Sequence, residues 1–282
     1  MKVVISVETA ADLSKELLEK YDIKTIPFTV FLDGKDYKDG EITCDDIIES
    51  VNNTKVLPKT GAINRASYEE YFNNLLKEYD AVIHVSLSSE LSSAHDNALA
   101  VSKEHKNVFV IDSRSLSTGI ALLALYAKEL TKENLSPEEI VRKVEERKNS
   151  LSASFILKRV DYLYKGGRCN ALVYLGANLL KIRPQIILKD GKMVSGKKYR
   201  GNFAHGVEAY LKDVFEEFNT PDLTTAFLTY TTADDDVLNI AKEYLVKMGF
   251  KNIYITRAGA TITSHCGENC LGVLFINDGA KK

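Results

Sequence analysis

Short apolar strands alternate with helical stripes along the first half of this chain, and that order restricts the fold. Lys2 to Val7 reads as a buried strand, and Leu13, Leu17 and Leu18 then share one helical face. Lys24 to Phe31 alternates and is rich in β-branched residues, which predicts a second strand closed by the Asp33-Gly34 turn. Tyr68, Tyr71, Phe72, Leu75 and Leu76 form a helical stripe. Ala81 to Ser86 and Val108 to Ile111 are short strands, and Gly119 to Leu130 is a helix apolar on most sides. The next helix opens with a capping box, with Ser136 as cap, Pro137 at the first helical position and Glu139 three residues after the cap. Strands separated by helices of this size imply a mostly parallel, covered sheet.

The second half changes character. Phe155 to Leu157 is a strand, Lys165-Gly166-Gly167-Arg168 a basic glycine-hinged turn, and Leu172, Leu175, Leu179 and Leu180 mark a helix after it. Arg183 to Leu188 and Met193 to Lys197 form a hairpin around Asp190-Gly191. A helix over Phe203 to Phe218, a strand over Thr224 to Thr229 and a helix over Asp234 to Met248 follow, and the strands Asn252 to Thr256 and Leu271 to Ile276 finish the chain. At 282 residues two domains are expected. The polar patch Ser150 to Ser154 sets their junction, giving an N-terminal α/β domain over 1–152 and a C-terminal α/β domain over 153–282.

Charge excludes some partners. With 37 basic against 39 acidic residues, the chain offers no general attraction for nucleic acid or an anionic membrane. The apolar run Val3 to Val7 stops at Glu8, too short for a signal peptide, and Gly119 to Ala127 is too short to span a bilayer. Cys44, Cys169, Cys266 and Cys270 are too few for a disulfide scaffold in a chain this long, so reduced thiols and a cytoplasmic location are expected.

Several constellations can bear chemistry. Ser86 to His95 follows a strand and opens a helix, a place where free backbone N–H groups and serine hydroxyls suit an anion, or where serine merely caps. Thr60 beside Gly61 sets a hydroxyl in a loop that a ligand can approach closely, unless this is an ordinary loop before the Tyr68 helix. Ser264-His265-Cys266-Gly267-Glu268-Asn269-Cys270 fits a cysteine nucleophile, an imidazole donor to an acidic ligand, or a strand start with small buried thiols. It lacks the C-x-x-C pair and fourth ligand of a zinc site. Gly191 to Lys198 nearly spells a phosphate-binding loop, but Lys198 stands where Ser or Thr must hold magnesium, and a hairpin is the wrong setting. Arg168, Lys197, Lys198 and Arg200 form a basic set suited to an acidic partner or to solvent.

Taken together these residues resemble the DegV family. Asp161-Tyr-Leu-Tyr-Lys165-Gly-Gly-Arg168, then Gly176-Ala-Asn-Leu-Leu-Lys-Ile-Arg183-Pro184 and Asp190-Gly191, are similar to its D-x-L-x-K-G-G-R, L-L-x-I-K-P and D-G pattern. Glu8-Thr9 with Asp12-Leu13, Leu91-Ser92-Ser93, Ile111-Asp112-Ser113 and Ser264-His265-Cys266-Gly267 add to the match, which covers nearly the whole chain.

The resemblance implies a two-domain α/β fold that binds a long-chain fatty acid without catalysis, metal or cofactor. Such a carrier presents the carboxylate to a separate ATP-dependent fatty-acid kinase, which makes the acyl phosphate for phospholipid synthesis. Thr60, Ser92 and His265 are then expected around the carboxyl, with Gly61 and Ser93 beside them, and Arg168 and Arg200 toward the kinase. The chain departs from the family at Glu8, Gly61, Ser93, Glu268 and Cys270, mostly near the head group. An apolar tunnel suits such a ligand, since each buried methylene contributes about 0.8 kcal/mol. The alternatives are an acyl hydrolase or transferase using Ser92 or Cys266 with His265, and a redox or metal sensor using Cys266 and Cys270.

Overall fold

The computed structural model describes residues 1–169 and 182–279. In chain order its first elements are β1 (Val3–Glu8), α1 (Lys15–Tyr21), β2 (Ile23–Ile26), β3 (Thr29–Leu32), β4 (Lys35–Lys38), α2 (Cys44–Thr54) and β5 (Lys59–Gly61). Then come α3 (Arg65–Leu75), β6 (Ala81–Ser86), α4 (Ala94–Ser102), β7 (Val108–Asp112), α5 (Thr118–Leu130) and α6 (Pro137–Arg147). The rest are β8 (Leu151–Leu157), α7 (Asp161–Lys165), β9 (Ile182–Lys189), β10 (Lys192–Arg200), α8 (Phe203–Glu217), β11 (Thr225–Tyr230), α9 (Asp235–Met248), β12 (Asn252–Arg257), α10 (Ala260–Cys266) and β13 (Cys270–Ile276).

Strands β2-β1-β6-β7 form the expected parallel sheet. Every residue of β6 is buried, as a strand covered on both faces requires. Six strands in the order β10-β9-β8-β13-β11-β12 form a second, mixed sheet, and β4-β3-β5 a small antiparallel one. The stretch Lys24 to Phe31 is therefore not one strand. Pro27 has no N–H to give a ladder, and the chain leaves the parallel sheet at Ile26 and joins the small sheet at Thr29. The capping box at Ser136 and the hairpin around Asp190-Gly191 are present. The near-miss phosphate loop lies in that hairpin, whereas the helix expected around Leu172 to Leu180 lies outside the described residues. The expected junction between 152 and 153 falls within β8.

Helix α5 packs against β1 and β6 and also against β8, β11 and β13, so it lies between the two larger sheets. All of it is buried except Tyr126, Lys128 and Glu129. The opposite face of the six-stranded sheet is covered by α8 and α9, around Tyr210, Phe215 and Leu245. There Tyr210 ties helix to sheet. Its hydroxyl donates to the Ser154 carbonyl at 2.8 Å and accepts from the Val273 N–H at 3.1 Å.

Replacing Tyr210 by Phe keeps the ring and strands both backbone groups. The expected loss is about 1–3 kcal/mol of unfolding free energy, read as a lower urea midpoint at unchanged slope.

Candidate functional site

Helix α10 was read in the sequence only as a lead into the last strand. It is seven residues long and its N-cap, Gly259, has no side chain to satisfy the first N–H groups. Two carboxylates from elsewhere do so. Asp12 Oδ1 accepts from the Gly259 N–H at 2.7 Å, and Asp39 Oδ1 from the Ala260 N–H at 3.0 Å. Ser117 donates to the other oxygen of Asp12 at 2.5 Å. Burial raises the Asp12 carboxyl to about 8, with neighbouring Asp39 adding to the effect. The helix is thus pinned at its start, and its last turn places His265.

His265 Nε2 and Thr60 Oγ1 are hydrogen-bonded at 2.8 Å. Thr60 reaches the ring from the middle of β5, where it pairs with Val30. Burial pushes the imidazole down to about 4, helped by the positive charge of Arg168, so the ring is neutral at physiological pH. Its Nδ1 is buried and, among the described residues, has no hydrogen-bond partner. Gly166 lies directly against that atom: a Cβ there would be 2.7 Å from Nδ1 and 2.8 Å from the Tyr162 carbonyl. Gly167 has φ +70°, a left-handed turn that favours glycine. The K-G-G-R run is therefore a turn shaped to fit over the imidazole and to leave Arg168 at the surface.

Ser92 sits between β6 and α4, at the carboxyl end of the parallel sheet, where such folds bind ligands. Its turn is anchored on three sides. The buried Glu8 accepts from the Leu87 N–H at 2.8 Å and from the Tyr68 hydroxyl at 2.9 Å. Ser89 donates to Asp112 at 2.6 Å, and Ser88 donates to the Gly191 carbonyl of the β9–β10 turn at 2.8 Å.

Thr60, Ser92, His265 and Arg168 line one small cavity of about 40 Å³. A second, of about 30 Å³, is walled by Phe155, Leu188, Cys270 and Leu274. Leu116, Ile262 and Cys266 line both, so a chamber that carries several polar groups among apolar ones adjoins a more fully apolar one.

Other expected residues lie elsewhere. A Cβ on Gly61 would point at the Phe31 ring, 3.0 Å away, and its neighbour Ala62 lines the cavity instead. Ser93 is the exposed N-cap of α4 and its side chain makes no capping bond. Arg200 ends β10 opposite Ile182, exposed and away from this cavity. Cys270 is hydrogen-bonded to Cys266, and that contact together with burial pushes its thiol up. Among the described residues no cluster of three metal-ligating side chains occurs. The roles of Asp12 and Asp39 were not foreseen. Asp12 is part of the start pattern, but no sequence signal joins it to Gly259.

Adjoining chambers, one carrying neutral polar groups and one apolar, have the chemistry that suits an amphiphilic small molecule in an α/β protein. Residues 2–278 match the family model described as "Uncharacterised protein, DegV family", and the chain belongs to the DegV family. It is 31% identical over 285 residues to a protein of Thermotoga maritima named fatty acid-binding protein, with 96% of each chain covered. A solved T. maritima structure described as revealing fatty acid binding function has 29% identity and a TM-score of 0.83, covering 98% of this chain and 99% of that one. A DegV family protein of Thermus thermophilus shares the fold at a TM-score of 0.90, with 24% identity and coverage of 98% and 100%.

The Asp12 carboxyl gives a pH signature. Between about 3.8, the ordinary value, and about 8, the folded state holds a proton that the unfolded chain has lost. Stability from this group is full at the acid end and falls as pH rises through that window, by at most about 1.4 kcal/mol per unit. Asp12→Asn cannot titrate, so its unfolding free energy is expected to be flatter than wild type from pH 5 to 8 in urea titrations.

Proposed function

We propose that this protein binds a long-chain fatty acid between residues 1–152 and 153–282, and presents its carboxylate to an ATP-dependent kinase. One observation carries the reading: the Thr60 and Ser92 hydroxyls and the neutral His265 line one of two adjoining chambers, and the other is apolar. The His265 Nε2–H donates to Thr60 and leaves the Thr60 hydroxyl proton free, so Thr60 and Ser92 offer two hydroxyls to a carboxylate without a buried arginine. The T. maritima relatives described as fatty-acid-binding support the same ligand class.

Presentation to a kinase has its own support. Lys59, Lys165 and Arg168 line an open cleft that also reaches Thr60 and His265. A cationic rim around the carboxyl suits a partner that brings phosphate groups. Arg200 completes the partner face in this reading.

The protein acts as a carrier rather than a catalyst. Among the described residues no hydrogen bond joins His265 to Ser92 or to Cys266. The His265 Nε2 engages Thr60, and the Cys266 thiol engages Cys270. The four free cysteines suit the reducing cytoplasm, and among the described residues no helix is long and apolar enough to cross a membrane.

Native mass spectrometry of the purified chain, followed by solvent extraction, is expected to show one bound fatty acid. Thr60→Val, Ser92→Ala and His265→Ala should each weaken retention about tenfold or more, the loss of one hydrogen bond to a charged group. Undiminished retention in all three would sink the site. Arg168→Ala should lower kinase-dependent acyl-phosphate formation far more than lipid retention, measured side by side. Equal losses would assign Arg168 to the lipid site instead.

A further inference from the structure

The apolar chamber has a thin wall. Strands β8 and β9 pair only through Ser154–Ile187, Phe155–Ile186 and Ile156–Gln185. Both run on past that register, β8 back to Leu151 and β9 forward to Lys189, without pairing to each other. Where they part lies a cleft of about 520 Å³ that opens to solvent, lined by Lys148, Ser152, Lys189 and Glu217 among others. Polar groups of this kind keep such a cleft wet. Ala153 and Leu188 line the cleft and also the apolar chamber.

Ala153 carries only a methyl group. Leu188 is half-buried, packed against the main core on one side and facing the cleft on the other. Its side chain is therefore the stopper between an apolar chamber and water.

We infer that Leu188 sets the upper limit on the acyl chains this protein accepts, by closing the chamber where β8 and β9 diverge. The inference rests on the fatty-acid reading above. Inside the chamber each added methylene tightens binding about fourfold. Once the chamber is full, a further methylene must displace Leu188 into the wet cleft or stay in water itself. Neither gives that gain, so affinity stops rising at a defined chain length.

The test uses the full chain and saturated fatty acids of increasing length, with uptake read by native mass spectrometry. Leu188→Ala removes about three carbon atoms of wall and is expected to move the upper limit out by about two carbons or more. Leu188→Phe should move it inward, and Ala153→Leu, which thickens the wall from β8, should do the same. Thermal unfolding identifies which variants are folded, and any folded variant decides the matter. A limit that stays within one carbon of wild type overturns the role of Leu188 while leaving fatty-acid binding intact. A wild-type protein that takes up no fatty acid of any length overturns both readings.

Discussion

Helix α5 lies between two sheets and touches strands of both, so its thickness sets their separation. Its sequence suits that place, with Gly119, Ala121, Ala124 and Ala127 among larger Ile120, Leu122 and Leu123. Small residues let backbones approach, and the larger ones fill what remains. At its N-terminus the buried Ser117 ties Asp12 into the same assembly. A helix held this firmly from two sides gives the chambers beside it a fixed boundary, with Leu116, just before its first turn, lining both.

From that frame the placement of His265 follows by relay. Ser117 holds Asp12, Asp12 holds the start of α10, and α10 carries His265 to Thr60. The relay is made of hydrogen bonds between buried groups, where an unpaired partner is costly and alternative arrangements are few. His265 is uncharged because burial disfavours the imidazolium. The positive charge stays on Arg168, exposed at the rim.

The sequence made the parallel sheet legible because strands buried on both faces give continuous apolar runs, as in Ala81 to Ser86. Capping residues marked the start of α6, and Asp-Gly marked the β9–β10 turn. The small sheet was not legible. Its strand β4 is mostly exposed, β5 is only three residues long, and both carry little apolar pattern. Helix α10 was missed for a related reason: Gly259 gives no side-chain cap, and the groups that satisfy it come from 247 and 221 residues away in sequence. Thr60, Ser92 and His265 could be nominated from the family pattern, but their convergence depends on the same distant contacts. Gly61 was nominated beside Thr60 from the loop reading and the family pattern, but strand alternation turns it to the opposite face from Thr60.

The departures from the family pattern are informative in this light. Gly61 and Ser93 lie off the chamber wall, so changes there alter its surroundings rather than its lining. Glu8 does not face the chamber either. Its carboxylate supports the turn that bears Ser92. Cys270, by contrast, forms part of the apolar wall itself, beside Cys266, which matches the family pattern. A buried thiol pushed up in pKa is a small apolar surface with little thiolate to react, which favours a packing role over a redox one. Of these departures Cys270 lines a chamber, so it changes the shape of an apolar wall, whereas Glu8, Gly61 and Ser93 leave the Thr60, Ser92 and His265 side chains lining the other chamber.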